Sequence, residues 1–202
     1  MLKRTTVIAA TIIFAFVILS VSILRSARVD YAFSGEVRNY ETSAVLGEKT
    51  KIDYLLPYPG KILPDNSLWF LKAGRDKAWL SLTSTDSKKS ELMLLFANKR
   101  LISAKILFEK NKAEIAFSTL SKAEKYLEGA SRGIGDVTFA TELAKASLKH
   151  KEVIDEIMLL APEDARPKVA ELARYPESAY KAARDFLRSQ GKEAPESPFD
   201  WD

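Results

Sequence analysis

Cysteine is absent from the 202 residues, and with it go disulfides, thiolate catalysis, cysteine-ligated metals and the thiol that would carry a lipoprotein's lipid. Histidine occurs once, at His150. A single imidazole excludes a two-histidine catalytic pair and a multi-histidine metal site within one chain. His150 falls on a helical seam near Glu152, which reads as a core or boundary residue in preference to a pH sensor. Nor do Glu142 and Asp155 make the Glu-x-x-His spacing of bundle metal centres. Charge of one sign is also scarce in any one place. The net charge of +4 and isoelectric point near 9.1 arise from mixed faces. In Lys122, Glu124, Lys125 and Glu128, opposite signs three or four residues apart describe a solvated helix. Without a basic stripe and interleaved aromatics, no nucleic-acid partner is expected.

Long hydrophobic runs are missing as well, with one exception. Thr5 to Leu24 reads TTVIAATIIFAFVILSVSIL, uncharged between Lys3-Arg4 and Arg25. A span needs about 20 mostly apolar residues to cross the hydrocarbon core, so residues 5–24 are expected to hold the chain in a bilayer. A cleaved signal peptide is the competing reading, with Ser20-Val21-Ser22 as its cleavage site, although its apolar core is normally only about 7–15 residues. Lys3 and Arg4 on one side balance Arg25, Arg28 and Arg38 on the other, so charge does not set the orientation.

The organisation that follows is an anchor over 1–24, a stalk over 25–54, a helical bundle over 55–190 and a disordered tail over 191–202. The tail is polar and proline-broken, with Phe199 and Trp201 as its only large apolar side chains. The bundle begins with a proline-rich lead-in from Leu56 to Asn66. A first helix, capped by Asp65 or Asn66 and ending near Leu82, carries Leu68, Leu71, Ala78, Trp79 and Leu82 at helical spacing. A second, from about Ser87 to Glu109, has a broad apolar surface that calls for neighbours on more than one side. The third, about Lys112 to Ser131, has a stripe of Ala113, Ala116, Leu120, Ala123, Leu127 and Ala130 that favours close packing on the second across a short hairpin. Asp136 caps a fourth helix over about Val137 to Ala161, and Pro162, Pro167 and Pro176 break the remainder into a kinked return helix.

One string invites a catalytic reading. Gly129-Ala130-Ser131-Arg132-Gly133-Ile134-Gly135 is similar to the glycine-rich nucleotide loop of short-chain dehydrogenases. That loop requires a buried strand before it, whereas Lys122 to Glu128 is a charged helical segment, and the dehydrogenases' Tyr-x-x-x-Lys pair is missing. A helix C-cap and turn, with Gly129 or Gly133 at positive φ, is the expected role.

The lead-in Leu63-Pro64-Asp65-Asn66-Ser67-Leu68-Trp69-Phe70-Leu71-Lys72, together with Lys88-Lys89-Ser90-Glu91-Leu92, Ala97-Asn98-Lys99-Arg100-Leu101 and Lys122 to Leu127, resembles the bacterial domain-of-unknown-function family 5667. Ser67 stands where that family usually has proline. The resemblance implies a helical extracytoplasmic domain behind one N-terminal span, and it brings no catalytic residue with it.

The expected fold class is therefore all-α, a single N-terminal transmembrane helix followed by an antiparallel bundle of four to five helices. No catalytic, cofactor-binding or metal-binding residue is assigned, no enzyme activity is expected, and no small-molecule substrate is identified. The expected partners are the bilayer, through residues 5–24, and a second protein or another copy of the chain. The expected role is an envelope scaffold or adaptor, with an envelope stress or ligand sensor as the alternative.

Overall fold

The computed structural model describes residues 11–15, 18, 32–33 and 51–201. The chain divides into two units, Met1–Tyr31 and Ala32–Asp202. In the first, residues 11–15 and 18 are helical. The rest of the Thr5–Leu24 run lies outside the described residues, as does the stalk over 25–54 apart from 32–33 and 51–54. Among the described residues, no helix is long and apolar enough to cross a membrane.

The second unit is helical throughout: α1 Trp69–Leu82, α2 Asp86–Glu109, α3 Ala113–Ser131, α4 Val137–Leu160, α5 Arg166–Leu172 and α6 Arg174–Ser189. No strand occurs among the described residues. Helices α2, α3, α6 and α4 form a ring in that order, each packing on the next, while α1 touches α2 alone among the helices. The expected width of α2's apolar surface follows from its three neighbours, α1, α3 and α4.

Local chemistry sets the ends. At the end of α2, Asn111 takes φ 58°, and its N–H reaches Phe108 O while the Lys112 N–H reaches Leu107 O. This closes the last turn with an asparagine in the left-handed region, where few other side chains go. The α3 alanines allow the antiparallel hairpin to close tightly: Ala116, Leu120, Ala123, Leu127 and Ala130 are all fully buried. Asp136 Oδ1 accepts the Phe139 N–H at 2.9 Å and caps α4 as the sequence predicts. Ala161 turns extended ahead of Pro162 and ends α4. Pro176 cannot donate a backbone bond to the Leu172 carbonyl, and the return helix accordingly breaks at Ala173 into α5 and α6.

Four expectations are corrected. The first helix starts at Trp69, later than Asn66. Asn66 Oδ1 instead caps the Leu68 N–H at 2.9 Å in the preceding turn, and Asp65 pairs with Lys112 at 2.7 Å. Gly129 and Gly133 are not at positive φ; among the described glycines only Gly60 and Gly191 are. Their role is close approach. A Cβ on Gly129 would come within 2.8 Å of Met93 Sδ, and one on Gly133 would collide with Ser90 Oγ. The α3 C-terminus thus crosses the start of α2 at distances only hydrogen permits. Gly133→Ala is expected to lower stability by about 1–2 kcal/mol, and adding Ser90→Ala restores most of the loss in urea unfolding; an unchanged single variant would refute the contact.

The third and fourth corrections concern the flanks. Residues 51–54, expected to end a stalk, lie on α4: the Ile52 N–H donates to Glu152 Oε2 at 2.9 Å, and Ile52 and Tyr54 pack on the core. Residues 191–201, expected to be disordered, fold back on the bundle. Gly191 turns the chain at φ 66°, Tyr180 Oη donates to Pro195 O at 2.6 Å, and Trp201 is buried against the Tyr180 ring at 5.3 Å between centroids. An indole that removes most of its surface from water supplies the ordering force that the polar composition of the tail conceals.

Candidate functional site

Two polar constellations interrupt the apolar interior. The first lies in the ring's core, where α2, α3 and α4 present Asn98, Glu124 and His150, all buried. The His150 ring is flanked on both sides: Nδ1 lies 2.8 Å from Glu124 Oε1 and Nε2 lies 3.0 Å from Asn98 Oδ1. The Asn98 amide is oriented by its other end, where Nδ2 donates to Tyr54 Oη at 2.8 Å. Tyr54 in turn directs its hydroxyl to Glu142 Oε1 at 3.5 Å. Burial, reinforced by the Glu142 carboxylate, pushes the Tyr54 phenol up to about 12, which keeps it a neutral donor. In this arrangement Glu124 and Asn98 hold the imidazole from its two nitrogens, and the pair is a buried histidine hydrogen-bonded to a buried carboxyl group. Glu124 Oε2 is buried with no hydrogen-bond partner, so His150 alone compensates that carboxylate.

His150 is a core residue on α4, as the sequence reading has it, but Glu124 and the partner of His150 are not as expected. Glu124 belongs to the core, not to a solvated face, and the partner of His150 is Glu124 in place of Glu152. Glu152 binds the Ile52 N–H and Lys149 instead. The missed signal was phase. Glu124 follows Leu120 by four residues and precedes Leu127 by three, and Asn98 stands in the same relation to Leu94 and Leu101. Each is a polar residue in register with an apolar stripe.

The second constellation is a cleft between α1 and α2 lined by Trp69, Lys72, Asp76, Lys99, Arg100 and their neighbours. Asp76 is buried, its Oδ1 bound by Arg75 Nη2 at 2.7 Å and Nε at 3.2 Å. Lys72 Nζ donates to Pro59 O at 2.6 Å and Ile62 O at 3.2 Å, tying the lead-in segment to α1. Arg100 stacks on Tyr126 at 4.5 Å and is buried. Burial holds both the Arg100 guanidinium and the Lys72 ammonium below their ordinary values; for Lys72, repulsion from Lys99, Arg75 and Arg100 adds to the effect against the attraction of Asp76.

No nucleophile is set beside a base in an open pocket in either constellation, and no group of three or more potential metal ligands occurs among the described residues. The glycine string lies at the end of α3 and in the turn after it, with a helix before it where a nucleotide fold has a strand. Fold and interior together define a helical bundle with a buried histidine–glutamate pair and an outlying first helix. Its place among known proteins is given by one match. Residues 61–164, just over half of the chain, match the family described as a domain of unknown function, DUF5667, and the chain belongs to that family. No match to a curated protein or to a solved structure is found. The matched stretch covers most of the lead-in and α1 to α4. Helix α6, which closes the ring, lies beyond it.

Proposed function

We propose that the chain is a membrane-tethered bundle that works outside the cytoplasm through protein contacts, as an envelope scaffold or adaptor, and not as an enzyme. One observation carries the contact reading. The α1 stripe is turned outward: Leu68, Leu71 and Leu82 are 51, 59 and 83% exposed, Ala78 is exposed beside them, and the helix buries the carboxylate of Asp76. The positions 68, 71, 75, 78 and 82 follow the three-four spacing of a helix–helix seam, with Arg75 at its middle. A contiguous apolar seam left in water is a feature that association removes. The tether rests on the uncharged run over 5–24, and the placement outside the cytoplasm rests on the family resemblance.

Leu71→Glu with Leu82→Glu tests the seam directly. Both side chains are exposed, so the melting temperature should stay within a degree or two, while crosslinking of the full chain in intact cells loses the adducts formed by the wild type. Recovery of monomer alone from the wild type would sink the contact reading, and protease shaving of the same cells reads the orientation. The sensor alternative, signalling through a membrane partner, draws on the His150–Glu124 pair. A hydrogen-bonded polar pair at the centre of the ring couples its packing to any event that disturbs one partner.

A further inference from the structure

Arg100 is a buried cation stacked between Phe96 and Tyr126. It is 7% exposed and donates no hydrogen bond among the described residues; its nearest carboxylate oxygen, Asp76 Oδ2, is 4.0 Å away and belongs to a group already held by Arg75. A guanidinium has five N–H donors in a fixed fork, and those of Arg100, unbonded within the bundle, stay open to a ligand. Lys99, next in sequence, lines the same cleft; its carbonyl accepts the Ser103 hydroxyl, and its ammonium has no hydrogen bond or ion pair among the described residues. With Lys72 and Arg75 the cleft gathers four cations around one carboxylate.

We propose that the cleft between α1 and α2 binds the phosphate group of a small anion, with Arg100 as the forked donor and Lys99 as the second cation. Phosphate matches the fork's geometry and the excess positive charge. The cleft opens to solvent and admits water-sized groups over about 30 Å³, room for the oxygens of a phosphate. Trp69, Trp79 and Phe96 line the cleft and offer apolar cover to whatever carries the phosphate. Asp76 keeps Arg75 occupied and so reserves the fork of Arg100 for the ligand. The source is a free phosphate or phosphate monoester, or the phosphodiester of a lipid headgroup. This site is independent of the outward seam of α1 and stands or falls separately from it.

The test uses the full chain in maltoside micelles at constant ionic strength, titrated with inorganic phosphate in one arm and with glycerophosphoglycerol, the soluble headgroup of an anionic lipid, in the other. The expected result is a saturable rise in melting temperature with a change in tryptophan fluorescence, in the phosphate arm for a free anion and in the diester arm for a headgroup. Arg100→Lys keeps the charge but loses the fork, and should weaken the apparent Kd about tenfold. Lys99→Gln, on a partly exposed side chain, should weaken it severalfold and serves if the first variant folds poorly. Lys125→Gln removes one exposed charge from α3 and should change nothing. Absence of saturation in both arms, or equal weakening by Lys125→Gln, overturns the proposal.

Discussion

Glu124→Leu is expected to lower the free energy of unfolding by about 3–5 kcal/mol, the usual consequence of leaving one member of a buried pair uncompensated. His150 would then face a hydrocarbon where its Nδ1 had a hydrogen-bond partner at 2.8 Å. A buried polar group would be left unpaired at the centre of the ring. His150→Leu should cost a similar amount, because Glu124 Oε2 is already without a hydrogen bond and Oε1 would join it. The double variant decides whether the pair acts as a unit. Removing both polar side chains leaves only Asn98 short of one partner, so the combined loss should fall below the sum of the single losses by about 1–3 kcal/mol. Urea unfolding with unchanged m-values measures all three. Additive losses would mean that each residue contributes packing alone and that the two side chains do not recognise one another.

What was legible in the chain depended on which force dominates each element. Helices α2, α3 and α4 were readable almost to the residue because their apolar stripes are buried, and α4 also carries a side-chain cap, Asp136. Burial and periodicity agree there. In α1 they do not: the same spacing of leucines recurs, yet Asp76 faces inward, paired with Arg75 and near Arg100, and the leucines turn out. Periodicity identifies a helix but not which of two faces is covered, because the choice depends on residues of α2 more than twenty positions away. Glu124 misled for a related reason. Charge alternation along one helix is a local pattern, whereas the acceptor role of Glu124 exists only because α4 places an imidazole opposite it. In the glycine string, Gly129 and Gly133 serve the proximity of α2 and not backbone chirality. Long-range contact, absent from any single window, accounts for each of these differences.

The tail offers the sharpest contrast between composition and contact, and Trp201→Ala measures it. Polar, proline-broken termini are usually loose, and a substitution in a loose tail moves stability by no more than about 0.5 kcal/mol. Trp201 is only 8% exposed, lies 5.3 Å from the Tyr180 ring and 5.1 Å from Phe199, and belongs to the same apolar cluster as Leu127, Leu143 and Ala183. Truncating it should cost about 2–3 kcal/mol, below the range for a tryptophan deep in a core because the chain end can partly collapse into the space. The neighbouring exposed Glu196→Ala should leave stability unchanged. Tyr180 links the two ends of this contact. Burial raises its phenol above the ordinary value against the opposing charges of Arg184 and Arg188, so the hydroxyl remains a donor to Pro195 O at neutral pH. Tyr180→Phe removes that bond and should cost about 1 kcal/mol. Once Trp201 is alanine, the same change should cost almost nothing, because a released tail no longer holds Pro195 in place. Urea unfolding of the two single variants and the double reads this coupling directly, and a Trp201→Ala protein as stable as the wild type would return the tail to disorder.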